Sequence, residues 1–126
     1  MLHDPKKQAQ VEEEIFHANL KEWQNILLRA AGIIKQHGWC RDEYENTSGQ
    51  RCAWGGMFPA AGHPIPTLDS EWPVKEENPD LYKAADRLDE FLGMSVIAWN
   101  DGSCLPDHAA AAGDEVVYTM QLVALG

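Results

Sequence analysis

Between Gln8 and His37 the sequence places Val11, Ile15, Leu20, Trp23, Leu27, Ala30 and Ile34 at spacings of three to five, mostly three and four. That period belongs to a helix with one broad apolar face, and a strand, whose side chains alternate, cannot present it. A chain carrying such a segment must cover the apolar face, so a helical core is expected. The charges agree with the direction of the helix. Glu12, Glu13 and Glu14 come early, where the helix dipole favours anions, and Lys35 and His37 come late, where it favours cations. Gly38 is a natural stop. The segment reads as one long helix or as two joined near Ala18–Lys21, where no Gly or Pro marks a break.

The remainder alternates helical signals with turns. Thr47-Ser48-Gly49-Gln50 is a turn signal, and Tyr44–Asn46 and Arg51–Ala53 can pair across it as a short β-hairpin. Cys52–Ala61 is small and apolar, as a short buried helix requires, with Pro59 placed to bend it. Gly62–Lys75 contains Pro64, Pro66 and Pro73 and reads as a surface loop. Asn78-Pro79 opens a helix through Leu81, Ala84, Ala85, Leu88, Phe91 and Leu92, which Gly93 closes. Met94–Trp99 is a second apolar stretch, a short helix or a strand. After a loop at Asn100–Gly113, Asp114 is placed to cap a last helix through Val117, Met120, Leu122 and Leu125. The expected fold is mainly α: a compact helical domain with a long N-terminal helix and room for one short β-hairpin. Residues 1–23 form a helical extension and 24–126 a single helical domain.

Charge narrows the partners. Ten basic residues stand against 20 acidic ones, a formal net charge of −10. Such a surface releases no counterions from a phosphate backbone, so nucleic acid is not an expected partner. An anionic membrane surface is disfavoured for the same reason. No apolar run approaches the roughly 18 residues of a membrane span, and Met1–Gln10 is polar rather than leader-like, so a cytoplasmic protein is expected. Three cysteines, an odd count, suit reduced thiols better than a disulfide framework.

Three constellations bear on chemistry. Cys40, Cys52, Cys104 and His108 could supply four zinc ligands in number, but no C-x2-C knuckle is present. No metal and no cofactor are therefore expected, and the thiols read as small core hydrophobes. A thiolate site would take Cys40 or Cys52 with His63 and Asn100 or Asp101, and a helix N-terminus at Cys52 would lower its pKa. Trp99-Asn100-Asp101-Gly102 reads as an aromatic anchor entering a turn whose Asn and Asp satisfy local backbone groups. Its functional reading is a polar cluster beside an aromatic wall, suited to a small ligand. No phosphate-binding loop, dinucleotide fingerprint, H-E-x-x-H or G-x-S-x-G occurs.

Gly38-Trp39-Cys40, Cys52-Ala53-Trp54-Gly55, the segment 80–92 and Ala98-Trp99-Asn100-Asp101 follow one another in this order. In that succession the chain resembles a small domain family of unknown function common in actinobacteria and their phages. The resemblance covers roughly residues 24–125. It implies a compact, mainly helical fold and no particular activity. Pro59, the loop 102–113 and the acidic segment Gln8–Trp23 depart from the pattern.

The motif residues Trp39, Cys40, Cys52, Trp54, Trp99, Asn100 and Asp101 are expected to form one structural cluster. The N-terminal stripe of Val11, Glu12, Glu13, Ile15 and Phe16, apolar and flanked by acid, is the expected contact surface. Small size, acidity and the phage-rich resemblance point to a non-enzymatic phage-type binding protein. It would dock on a host protein, a defence or transcription component, and modulate it in the host cytoplasm. A homodimer through the same stripe is the related expectation. The rival readings are a small-ligand binder or Cys-dependent enzyme using the Cys/Trp/Asn-Asp cluster, and a virion structural or assembly protein.

Overall fold

A computed structural model describes residues 4–17, 19–67, 70–102, 110 and 112–126. Among them it contains six helices: α1 (Pro5–His17), α2 (Glu22–His37), α3 (Ala53–Ala60), α4 (Pro79–Leu92), α5 (Val96–Asp101) and α6 (Gly113–Leu125). The expected long first helix is thus two. The break falls where the apolar series slips phase, at the single spacing of five between Ile15 and Leu20. A new start follows, in which Gln24 Oε1 accepts from the Lys21 backbone N–H at 2.7 Å.

Helix α2 is the centre of the domain. Its buried face of Trp23, Ile26, Leu27, Ala30, Ala31 and Ile34 packs against α6, α3 and α4. Helix α6 is apolar nearly all round and buries Val116, Val117, Met120 and Val123, as a helix covered from two sides must. Its second cover is α1, which lies against it. Val11 is buried there, and Gln8 is hydrogen-bonded to Gln121. On the other side Lys35 reaches Glu12 at 3.5 Å. The N-terminal segment is thus laid onto the same core.

Helix α3 shows why its residues stand where they do. Cys52 caps it, with Sγ accepting from the Gly55 N–H at 3.3 Å. Pro59 lies inside the helix and has no N–H for the carbonyl of Gly55. Arg51 takes up that acceptor, donating from Nη1 at 3.3 Å. Gly55 is also where the chain passes closest to itself, since a Cβ there would stand 1.8 Å from the carbonyl oxygen of Tyr44. Gly56 does the same service toward α2, where a Cβ would meet the Ala30 carbonyl at 3.1 Å.

The expected hairpin is replaced by isolated bridges: Arg51 pairs with Trp39 on one side and with Glu45 on the other. Arg51 N donates to Gly38 O at 2.9 Å and Cys52 N to Tyr44 O at 3.2 Å. Single bridges suffice because the polar loop 41–50 has too few apolar residues to bury a sheet face, so its backbone groups are satisfied one at a time. Met94–Trp99 resolves as helix. Ser95 Oγ accepts from Ala98 N at 3.1 Å and Asp89 Oδ1 from Val96 N at 2.9 Å. Asn78 precedes α4 as expected, but its amide donates backward to Val74 O at 2.9 Å instead of capping. Ala112, not Asp114, is the N-cap of α6. The strap between α3 and α4 is held by Tyr82, whose hydroxyl donates to Pro73 O at 2.6 Å.

Two glycine substitutions separate steric need from helix propensity. Gly55→Ala forces a side chain against backbone and should lower stability by about 3 kcal/mol or more. Gly32→Ala lies on the exposed face of α2 with nothing within 4 Å of its Cβ. It should raise stability by about 0.5–1 kcal/mol. Urea denaturation midpoints of the two variants against the parent decide both.

Candidate functional site

The loop after α2, the start of α3 and the end of α5 meet at one buried amide. Asn100 is 2% exposed. Its Oδ1 accepts from the Trp39 indole N–H at 2.7 Å and from the Ala53 backbone N–H at 3.0 Å. Its Nδ2 donates to Cys40 O at 3.2 Å and to Asp101 Oδ1 at 2.9 Å. A carboxamide has two donor hydrogens and two acceptor sites, and all four are used here. The expected local turn is therefore a long-range junction, placed by α5 and closed by Gly102 in the left-handed region at φ 73°.

Around it the loop is tightly specified. Asp101 Oδ1 also accepts from the Asp42 N–H at 2.9 Å. Asp42 itself sits at φ 68°, a region that Asp enters more readily than most residues. Arg41 donates from Nε to Asn100 O at 3.2 Å and from Nη2 to Ala110 O. Its guanidinium lies 5.1 Å from the centroid of the Trp39 ring. Trp39 is half-buried, and a Cβ on Gly113 would meet its Cβ at 2.8 Å. Trp54 and Trp99 are buried.

These segments enclose a cleft of about 310 Å³. The acids Asp42, Glu43 and Asp101 line it together with Tyr44, Trp54 and Ile97. Cys52 and Asn100 also line it. The rings continue outward: Trp72 is 5.0 Å from Trp54, 5.9 Å from Tyr44 and 5.1 Å from Phe58, centroid to centroid. Trp72 and Ile97 remain exposed at 39% and 44%.

The thiols are shut rather than activated. Burial pushes the Cys52 thiol up to about 11, overriding the N–H groups of Gly55 and Trp54 that would lower it. The sequence expectation that a helix N-terminus lowers this pKa is thereby corrected: α3 is short, and desolvation outweighs its dipole. Burial also raises Cys40, whose neighbours include the acids Glu43 and Asp101 and the base Arg51. Tyr44 is raised by burial first, then by Cys52 and Asp101. Cys104 and His108, two of the four zinc candidates, lie outside the described residues. Among those described, no three His, Cys, Asp or Glu side chains converge as a metal site needs.

Of the motif residues, Cys52, Trp54, Asn100 and Asp101 line this cleft, Trp39 and Cys40 are hydrogen-bonded to Asn100, and Trp99 is buried in the core. The N-terminal candidates lie elsewhere. Val11 is turned into the core, Ile15 is half-buried, and Glu12 and Glu13 are exposed. The side chain of Phe16 lies outside the description. Sequence reasoning missed Asp42, Glu43, Tyr44, Ile97 and Trp72 as site residues. Their one signal was adjacency to the Gly-Trp-Cys and Trp-Asn-Asp motifs.

Fold and cleft together define a small all-helical domain with a preformed, acid-rimmed recess. The chain belongs to DUF6197, a family of unknown function, whose pattern matches residues 19–115. Helix α1 precedes that span. No curated protein and no solved structure matches the chain. Among the described residues no helix is long and apolar enough to cross a membrane.

Asn100→Ala orphans two buried donors and a carbonyl at once. At roughly 1–3 kcal/mol for each unsatisfied group it should lower stability by at least about 3 kcal/mol in chemical denaturation. The Cys52 thiol makes a separate prediction. A folded-state pKa raised from 9.0 to about 11 gives stability that is complete below pH 9 and is lost as pH rises through about 11. That loss amounts to roughly 2–3 kcal/mol at 1.36 kcal/mol per unit. Cys52→Ser replaces the sulfur acceptor for Gly55 N with an oxygen and removes the titrating thiol, so its denaturation midpoint should fall less between pH 8.5 and 10.5 than the parent's.

Proposed function

We propose that this is a non-enzymatic binding protein that docks on another protein, a host protein where the chain is phage-encoded. The contact is assigned to the cleft-bearing face rather than to α1. The observation that carries the reading is the pair Trp72 and Ile97. Both are large apolar side chains left exposed beside a cleft whose central amide, Asn100, has all four hydrogen-bonding positions filled. Exposed apolar surface next to charged groups is the composition of a protein contact with an aromatic anchor and a polar rim. Val11, by contrast, is already covered by the protein's own α6.

What speaks against a cysteine enzyme is the state of its nucleophile. Burial pushes the Cys52 thiol up to about 11, and among the described residues no histidine lines the cleft. A nucleophile with neither a lowered pKa nor an adjacent base lacks both routes to activation.

The test is affinity capture from lysate of the source cell with the full chain and two variants. Ile97→Glu places a carboxylate in the proposed contact, and Phe91→Glu places one on the exposed face of α4. A partner retained by Phe91→Glu and bound at least about tenfold more weakly by Ile97→Glu, roughly 1.4 kcal/mol, is the expected result. Loss with Phe91→Glu and retention with Ile97→Glu would move the contact to the groove beside Trp23 and Leu122.

A further inference from the structure

The cleft combines two chemistries that one kind of group satisfies together. Its interior offers Tyr44, Trp54 and Ile97, and its carboxylates come from Asp42, Glu43 and Asp101. Among the described residues no Lys, Arg or His lines it. Arg41 is engaged with Asn100 O, Ala110 O and the Trp39 ring. Arg51 is paired with Glu45 at 3.0 Å. Among the described residues, every hydrogen bond to Asp101 falls on Oδ1. The three carboxylates do not converge as ligands of one metal ion would. An organic cation with an apolar stem fits that spread better than a bare ion does, since its stem needs the rings and its head needs only the rim. At about 310 Å³ the cleft lies at the low end of small-molecule sites, room for one extended side chain.

We infer that the cleft receives a lysine side chain from a basic segment of the partner protein, its four-carbon stem against Tyr44, Trp54 and Ile97 and its ammonium among Asp42, Glu43 and Asp101. Charge complementarity selects this occupant, because the chain carries a net −10 and the described residues lining the cleft include three acids and no basic group. The negative field inside it is felt by its own groups. Beyond the effect of burial, Asp101 helps to raise Tyr44, Cys40 and Cys52. A lysine fits better than an acidic or neutral side chain, which would leave the rim unpaired.

The inference rests on the docking reading above, and its test is separable from it. A capped pentapeptide with one central lysine among alanines is titrated into the full chain and followed by the Trp54 indole N–H resonance. Its Nε-acetyl-lysine counterpart and n-butylammonium are the comparison probes. The expected result is saturable shifts with the lysine peptide, binding at least tenfold weaker with the acetylated peptide, and weakening from 0.05 to 0.5 M salt. Asp101→Asn keeps an oxygen for Asp42 N and Asn100 Nδ2 while removing the charge. It should lose at least fivefold in lysine-peptide affinity with an unchanged circular dichroism spectrum. Equal binding of the two peptides, or no effect of Asp101→Asn, overturns the inference. n-Butylammonium binding as tightly as the peptide overturns the partner segment in favour of a free amine. If capture still depends on Ile97 while the lysine peptide fails, only the lysine site falls. If the peptide binds but no partner depends on Ile97, the docking reading falls and the ammonium site stands.

Discussion

The carboxamide of Asn100 is a buried group whose four hydrogen-bonding positions are all occupied, by the Trp39 indole, the Ala53 N–H, the Cys40 carbonyl and the Asp101 carboxylate. A polar group placed at that depth is costly unless every position is met. Once met, it ties the loop after α2 and the first turn of α3 to α5 at one point. The cleft exists because those three segments are held there. No apolar contact would fix them in the same way, since apolar packing tolerates small shifts of register and a saturated amide does not.

Around that junction, close approaches by glycine do what side chains elsewhere do by filling space. Gly55 lets the Tyr44 carbonyl rest against α3, and Gly113 lets the start of α6 pass the Trp39 side chain. Arg51 supplies the donor that Pro59 lacks and pairs with Glu45, so one side chain repairs a helix and anchors the loop that carries Asp42, Glu43 and Tyr44. The aromatic group of Tyr44, Trp54, Phe58 and Trp72 then packs the strap against α3, leaving Trp72 at the edge of the cleft.

The acidity of the chain acquires a location in the same place. Spread over a surface, a net charge of −10 does little more than keep a protein soluble. Three of the acids line the same cleft as Tyr44, Trp54 and Ile97, with no basic residue among the described lining residues. Low-polarity surroundings strengthen each charge, which is why the same carboxylates carry more weight there than along α1.

Much of the fold was legible because it depends on nearest neighbours along the chain. Helical periodicity located the face of α2, Asn78-Pro79 the start of α4, Gly93 its end, and the small apolar run the short α3. The phase slip between Ile15 and Leu20 was visible too, although without Gly or Pro it did not separate one helix from two. Of the motif residues, Trp39 and Cys40 are bonded to Asn100, which lines the cleft with Cys52 and Trp54. What the tertiary structure alone decided was which groups those residues meet. Asn100 reads locally as a turn former, yet three of its four partners lie 47 to 61 residues away. Cys52 reads as a thiol at a helix start, yet burial governs its proton. Val11 reads as a free stripe until α6 covers it. Local propensity depends on residues a few positions apart. The burial of a thiol, the saturation of an amide and the charge of a cleft depend on segments that only the packed core brings together.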